Sequence, residues 1–151
     1  MNVIGIQYNI NQNALEVYFS GCIGNPHCKG CFSPETWEFN QGSSYKKSMT
    51  DIRKQLIQFD ELIDKVMIFG GEPLDQNSEE LKDFLQEIKT FGKEIWIFTH
   101  YDFDVAKEIL GQTIALCDYI KCGAYMEELK VDDNIQYGIK LATSNQKIYK
   151  L

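Results

Sequence analysis

The chain carries its most informative stretch between Leu15 and Phe32, where the sequence is LEVYFSGCIGNPHCKGCF. The first five residues alternate and include β-branched and aromatic side chains, which predicts a β-strand. Glycines, an asparagine and a proline follow, so we predict an irregular loop after this strand. The loop contains three cysteines within ten residues, Cys22, Cys28 and Cys31. Clustered thiols at the end of a strand favour a metal site, because thiolates are soft ligands suited to zinc, Cu(I) or iron–sulfur clusters.

The number of thiols in this loop restricts the kind of metal site. Structural zinc sites are almost always four-coordinate, and iron–sulfur clusters normally take four cysteines. His27 directly precedes Cys28, so it would need an awkward turn to become a fourth ligand. Cys117 and Cys122 lie far along the chain near a predicted strand, where cysteine is usually a small buried hydrophobic residue. An iron–sulfur cluster with three thiolates keeps one iron free for a substrate or cofactor; structural zinc and three unrelated thiols are the alternatives.

Length, composition and charge narrow the class of protein. With 151 residues, 44% of them hydrophobic, the chain is expected to form one domain over residues 1–151. The net charge of −7 argues against nucleic acid as the main partner, since phosphate binding depends on clustered basic residues. We predict no signal peptide and no membrane span, because no apolar run approaches the roughly 20 residues that a bilayer requires. We therefore expect a cytoplasmic protein with reduced thiols.

Beyond this loop, the predicted elements alternate between strands and helices. We predict strands at residues 3–10, 15–19, 66–69, 95–98 and 118–122, with edge strands within residues 139–149. Apolar spacing predicts helices at 50–65, 81–88 and 105–110, with a surface loop at 40–48 and a short helical turn at 34–37. Thr50 or Asp51 is expected to cap the first helix, and Asn77 with Glu80 the second. This order predicts a mostly parallel sheet with outer helices.

Unusual residues follow four of these predicted strands in succession. They are the three cysteines, then Gly70-Gly71-Glu72-Pro73, then Thr99-His100, and finally Lys121-Cys122-Gly123. Ligand sites in parallel α/β proteins form at the carboxyl ends of strands, so we expect one shared pocket. Paired glycines let backbone approach a ligand, and a neighbouring carboxylate can accept a hydrogen bond from an ammonium group. A glycine pair alone also serves simply to turn the chain, and the two histidines are by default surface or satisfied loop residues.

These residues resemble the radical S-adenosylmethionine (SAM) superfamily. The likeness rests on the three cysteines, the aromatic Phe32 after the third, and Gly-Gly-Glu-Pro after the second core strand. Within that superfamily the chain is similar to the small activating enzymes of anaerobic (class III) ribonucleotide reductases. That similarity includes Gly21-Cys22, Thr36-Trp37, the Thr99 region and Ser144-Asn145-Gln146. Cys22 and Cys28 have five residues between them where the family commonly has three, whereas Cys28 and Cys31 keep the common two.

The resemblance implies a fold, a reaction and partners. The fold is a small partial (open) β/α barrel of radical SAM type. The reaction is reductive cleavage of SAM at a [4Fe–4S] cluster, by an oxidoreductase that generates a glycyl radical on a partner anaerobic ribonucleotide reductase. A flavodoxin- or ferredoxin-type protein would donate the electron. Two alternatives stay open: a small-molecule radical SAM enzyme of the 7-carboxy-7-deazaguanine synthase type, and a non-catalytic zinc module that uses the same cysteines for partner binding.

The resemblance also implies roles for individual residues. The cluster would be held by Cys22, Cys28 and Cys31. SAM would chelate the fourth iron through its amino and carboxylate groups. The remaining contacts to SAM would come from Gly70, Gly71 and Glu72 at the amino group, from the backbone around Phe32 at adenine, and from Thr99 and Lys121 at the ribose and carboxylate ends.

Overall fold

The computed structural model describes residues 1–24 and 26–151 and contains a seven-stranded mixed sheet. The strands are β1 (Asn2–Asn9), β2 (Ala14–Phe19), β3 (Ser43–Ser44), β4 (Lys65–Gly70), β5 (Glu94–Phe98), β6 (Tyr119–Cys122) and β9 (Lys147–Lys150), in the order β3-β1-β2-β4-β5-β6-β9. The four central strands, β2, β4, β5 and β6, run parallel. The pairs β1–β2, β1–β3 and β6–β9 are antiparallel. The α/β prediction is confirmed, and the sheet is open.

Three helices connect the strands: α1 (Tyr45–Gln58), α2 (Ser78–Lys89) and α3 (Phe103–Leu110). Short 3-10 turns lie at Pro34–Thr36, Pro73–Asp75, Gly111–Leu116 and Glu127–Leu129. A separate two-stranded ribbon is formed by β7 (Ile135–Gln136) and β8 (Ile139–Lys140). No helix within residues 1–24 and 26–151 has the length and apolar character needed to cross a bilayer.

Helix α2 begins where its capping signal predicts. The Oδ1 atom of Asn77 accepts a hydrogen bond from the Glu80 backbone N–H at 3.0 Å, which satisfies one of the free N–H groups of the first turn. The helix buries one apolar stripe, made of Leu81, Phe84, Leu85 and Ile88. Spacing at i, i+3, i+4 and i+7 places all four on one face, so the predicted helix is confirmed.

Helix α1 corrects the prediction of a helix at residues 50–65. It begins five residues earlier, at Tyr45, inside the stretch predicted as a surface loop, and it ends at Gln58. Thr50 and Asp51 therefore lie within the helix and do not cap it. The early start depends on distant residues: the Tyr45 backbone N–H donates to the Met1 carbonyl at 3.1 Å, and the Tyr45 ring packs edge-on against Phe84. Sequence periodicity carries no information about such contacts.

The two faces of the sheet have different coverings. All three helices pack on one face, where the buried strand residues are Leu15, Val17, Phe19, Val66, Ile68, Ile95, Ile97, Ile120 and Cys122. On the other face, Met67, Trp96 and Tyr119 are covered by Leu141 and Ile148 from the C-terminal part of the chain. Beyond this second cluster, toward the carboxyl ends of the parallel strands, the same face lines a cavity.

Candidate functional site

The cavity has a volume of about 530 Å³ and extends from the carboxyl ends of the parallel strands along the face that carries no helices. Every residue that the sequence singled out for a cofactor contributes to its lining: Cys22, Cys28, Cys31, Phe32, Gly70, Gly71, Glu72, Thr99 and Lys121. The structure therefore brings together four segments that are far apart along the chain. What each residue binds stays a prediction.

The cysteine loop is fixed to the body of the protein by backbone hydrogen bonds. The N–H of Gly21 donates to the Thr36 carbonyl at 2.7 Å, and the N–H of Cys22 donates to the Trp37 carbonyl at 3.0 Å. Further on, the Ile23 N–H donates to Asp75 Oδ2 at 2.6 Å. Asn25, a part of the predicted irregular loop, lies outside the described residues; its described neighbours in the loop form neither helix nor strand.

The three thiols of this loop fit a cluster with three protein ligands. Cys22, Cys28 and Cys31 are free, half-buried and open to the same cavity, and soft thiolates are the ligands that iron–sulfur clusters use. Within residues 1–24 and 26–151, no group of three His, Cys, Asp or Glu side chains has the arrangement of a site for a single metal ion. His27 is otherwise engaged, with Nε2 lying 3.1 Å from the Cys22 carbonyl and its ring stacked on Trp37 at 4.2 Å.

The glycine pair at the end of β4 is explained first by the close packing of the chain there against the cysteine loop. Gly70 has φ +125°, and a Cβ atom on it would lie 2.0 Å from the Phe19 carbonyl oxygen. A Cβ on Gly71 would lie 2.2 Å from the Gly21 carbonyl oxygen. The Glu72 N–H then donates to that Gly21 carbonyl at 2.8 Å. Only glycines let the backbone of residues 70 and 71 come this close to the Phe19 and Gly21 carbonyls. The loop after β4 is thereby packed against the start of the cysteine loop.

The Glu72 carboxylate is buried and fully engaged. Its Oε1 accepts from the Leu74 N–H at 3.0 Å. Its Oε2 accepts from the His100 backbone N–H at 2.8 Å and lies 2.9 Å from His100 Nδ1. Hydrogen bonds to the Cys22 thiol and to this carboxylate raise the pKa of His100 to about 10. Glu72 therefore joins the loops after β4 and β5.

His100 fits the expectation of a satisfied loop histidine, and it also lies in the pocket predicted at the ends of the strands. It is half-buried, lines the cavity and contacts a predicted cluster ligand as well as Glu72. The sequence places His100 beside Thr99 after β5, among the residues predicted to share one pocket. Its contact with Glu72 spans 28 residues, which single-residue reasoning does not foresee.

Lys121, at the end of β6, supplies a cationic group to the same cavity. Its Nζ donates to the Gly123 carbonyl at 2.7 Å. Burial, the largest cause, lowers its pKa to about 8, while the Glu72 carboxylate acts in the opposite direction. Thr99 lies alongside, with its N–H donating to the Lys121 carbonyl at 2.9 Å. The cavity thus carries a carboxylate–imidazole pair and a separate amine.

The aromatic side chains at the cavity and beside it differ in exposure. Phe32 lies on the rim, where its side chain is 83% exposed and meets the Tyr125 ring edge-on at 6.0 Å. On the same face of the sheet, in the packed cluster beside the cavity, Trp96 is buried against Tyr119 with the ring centroids 4.0 Å apart. Cys117 and Cys122 are buried in the core under the helices, which agrees with a packing role.

Comparison with known proteins gives the family. Residues 13–149 match the model of a family described as a 4Fe-4S single cluster domain. The chain is also 30% identical over 142 residues to the anaerobic ribonucleoside-triphosphate reductase-activating protein of Escherichia coli K12, covering 89% of this chain and 86% of that protein. The protein of the same name from Salmonella typhimurium LT2 is 30% identical over 139 residues, with the same coverage. This chain therefore belongs to the 4Fe-4S single cluster domain family and to the family of the anaerobic ribonucleoside-triphosphate reductase-activating proteins.

Proposed function

We propose that the protein is a radical SAM activase that generates a glycyl radical on an anaerobic ribonucleoside-triphosphate reductase. One observation carries the proposal: three thiols, a glycine-lined loop with a buried carboxylate, and a lysine all line the same cavity. A bound [4Fe–4S] cluster, reduced by one electron, would supply the electron that cleaves SAM to methionine and a 5′-deoxyadenosyl radical. That radical would take a hydrogen atom from the partner's glycine, which gives 5′-deoxyadenosine and leaves the glycyl radical.

In this proposal, Cys22, Cys28 and Cys31 hold three irons of the cluster. The hydrogen bonds that tie Gly21 and Cys22 to the chain around Trp37 keep the loop in place. The His100 imidazole would give the Cys22 thiolate a hydrogen-bond donor. Donors to cluster sulfurs are among the factors that set the reduction potential of iron–sulfur clusters.

The charged groups of the cavity suit the two charged ends of the methionyl part of SAM. Gly70, Gly71 and Glu72 would line its amino group, and Lys121 would face its carboxylate. Because Glu72 is held on both oxygens, its charge is oriented before any ligand arrives. The backbone around Phe32 would contact the adenine, and Thr99 the ribose. No side-chain general base is required for this reaction.

The partner would reach the cofactor from the open side of the cavity. We propose an open β/α barrel of radical SAM type formed by one domain, residues 1–151, in the cytoplasm. The sheet is open, so a protein segment can approach the carboxyl ends of its strands. The names of the relatives point to the reductase as the substrate, and a flavodoxin- or ferredoxin-type protein would deliver the electron.

The proposal is tested by anaerobic reconstitution with iron and sulfide, followed by reduction in the presence of SAM. We expect about four irons per chain and formation of 5′-deoxyadenosine. Addition of the reductase should then give the electron paramagnetic resonance signal of a glycyl radical. A colourless protein with one zinc per chain that leaves SAM intact would reject the proposal and favour a structural zinc module.

A further inference from the structure

A second polar region lies in the part of the cavity away from the cysteine loop, toward the amino ends of the parallel strands, and this part is called the inner end. Its centre is Glu16 on β2, whose side chain lines the cavity and is only 6% exposed. Glu16 is in register with Met67, whereas Phe19 at the end of the strand is in register with Gly70. Three residues of strand place Glu16 about 10 Å further along the sheet than the proposed cofactor end. The sequence-based reasoning assigned no role to this residue.

The Glu16 carboxylate is held by neutral groups. Oε2 accepts hydrogen bonds from Gln7 Nε2 at 2.6 Å and from the Tyr18 hydroxyl at 2.7 Å, and Oε1 accepts from Asn9 Nδ2 at 2.7 Å. Of the ion pairs formed within residues 1–24 and 26–151, none includes Glu16. Lys140, which also lines the cavity, pairs with Asp132 at 3.2 Å on the exposed side. The inner end thus presents a fixed carboxylate with no cationic partner.

A carboxylate in this position favours a cationic ligand. Burying a charge is costly, and an opposite charge that forms hydrogen bonds with it recovers part of that cost. Oε1 accepts from one donor, so it keeps acceptor capacity for a second. The three existing donors fix the orientation of the carboxylate before a ligand arrives, which reduces the entropy that binding would lose.

A row of aromatic rings crosses the cavity face at the level between Glu16 and the cofactor end. Tyr18 stacks on Phe69 at 5.3 Å, and Phe69 contacts Phe98 at 4.1 Å, so the three rings form a row across β2, β4 and β5. All three line the cavity. Aromatic faces attract guanidinium and ammonium groups, and such rings also cover the apolar part of a long basic side chain. The row therefore suits an arginine or lysine side chain better than an anionic one.

We propose that the inner end of the cavity binds a cationic side chain of the substrate polypeptide, with Glu16 as its acceptor. This inference rests on the proposed function, because it takes the ligand to be the segment that carries the target glycine. An extended chain advances about 3.3–3.6 Å per residue, so a span of about 10 Å places the basic residue within three positions of the glycine. Glu16 would thereby select which glycine reaches the cofactor.

The test uses reconstituted protein with SAM and synthetic peptides. The parent peptide is acetyl-Ala-Ala-Ala-Gly-Ala-Ala-Ala-amide, and each of its six alanines is replaced in turn by arginine or by citrulline, which has nearly the same shape but no charge. Binding is measured by calorimetry without a reductant. At one of the six positions we expect the arginine peptide to bind about tenfold more tightly than the citrulline peptide, as a charged hydrogen bond predicts.

Two variants locate the source of this preference. Glu16→Gln keeps the shape of the side chain and removes its charge, so the ratio of the two affinities should fall to about one. Glu108→Gln removes an exposed carboxylate from α3, on the opposite side of the sheet, and should keep the ratio of the wild-type protein. The thermal midpoint of Glu16→Gln is recorded beside the binding, and the comparison of peptides on the wild-type protein needs no variant at all.

Several outcomes would overturn the inference. They are equal affinity of the arginine and citrulline peptides at all six positions, no measurable binding by any peptide, or a preference that survives in Glu16→Gln. Reduction of the same preparation without peptide separates this failure from that of the proposed function. If 5′-deoxyadenosine forms but arginine is not preferred, only the subsite is rejected. If SAM stays intact, the proposed function fails instead.

Discussion

The two faces of the sheet use alternate residues of the same strands for different purposes. On β2, Leu15, Val17 and Phe19 point toward the helices and are completely buried. The residues between them, Glu16 and Tyr18, point into the cavity and form hydrogen bonds there. Because side chains alternate across a strand, one segment supplies apolar core and polar cavity at once. Substitutions on the two faces should therefore affect stability and cofactor binding separately.

The largest effect is expected from a thiol on the cavity side. Cys28→Ala should abolish cluster binding and 5′-deoxyadenosine formation, because one of the three proposed thiolates is lost. Cys117→Ala is the matched control, since Cys117 is buried in the core under the helices and does not line the cavity. Iron per chain after reconstitution measures both. Loss of iron in Cys117→Ala as well would show that the ligand assignment is wrong.

The next effect concerns the helix-covered face. Phe84 on α2 is completely buried and packs edge-on against Phe19 at 5.2 Å. Phe84→Ala should lower the free energy of unfolding by about 3–5 kcal/mol, through lost burial and the cavity that remains. Ile57→Ala, on the exposed side of α1, should change it by less than about 0.5 kcal/mol. Urea unfolding checks both values, and a loss below about 1 kcal/mol for Phe84→Ala would contradict the packing of α2.

A smaller effect is expected where the cavity face holds a charge. Glu72→Ala should weaken SAM binding about tenfold or more while the cluster stays in place, because the buried carboxylate proposed to accept from the SAM amino group is removed. Equilibrium binding of SAM to the reconstituted variant measures this, and unchanged affinity would exclude Glu72 from the site.

Asn77→Ala separates this effect from a general loosening of the structure. Asn77 caps α2 through the Glu80 N–H, and its loss should cost about 1 kcal/mol of stability. The SAM affinity of this variant should match that of the wild-type protein. A parallel fall in affinity would mean that the Glu72 result reports stability and not contact with SAM.

The same comparison shows what the sequence could predict. The strands β1, β2, β4, β5 and β6, α2 with its Asn77 cap, and the shared cavity of the cysteines with Gly70, Thr99 and Lys121 follow from periodicity and from the rule that strand ends meet. These signals are local, or they depend only on the order of elements. The short strands β3, inside the predicted loop 40–48, and β7 were not predicted.

The features that sequence reasoning missed depend on contacts between distant residues. The start of α1 at Tyr45 depends on Met1 and Phe84, and the pairing of His100 with Glu72 joins residues 28 positions apart. Glu16 was missed for a different reason, because the alternation of a strand shows that a face is polar but not whether it meets solvent or a cavity. The polar face of β2 lines a cavity because residues 139–146, which are distant in the sequence, lie over the same face of the sheet.

The smallest predicted effect is the pH dependence contributed by Lys121. Its pKa is lowered to about 8 in the folded protein, so between pH 8 and 9 the unfolded chain holds the lysine proton more fully than the folded one. The unfolded state then binds more protons, and stability rises with pH, by about 1 kcal/mol over this interval. His100, with its pKa raised to about 10, contributes with the opposite sign, because its stabilisation is lost as pH rises from about 6.5 through 10.

The variant Lys121→Met removes only the contribution of the lysine. The difference in unfolding free energy between the wild-type protein and this variant, from urea titrations under reducing conditions, should therefore grow by about 1 kcal/mol in favour of the wild type from pH 8 to 9. A constant difference would show that the amine on the cavity face titrates like an exposed lysine.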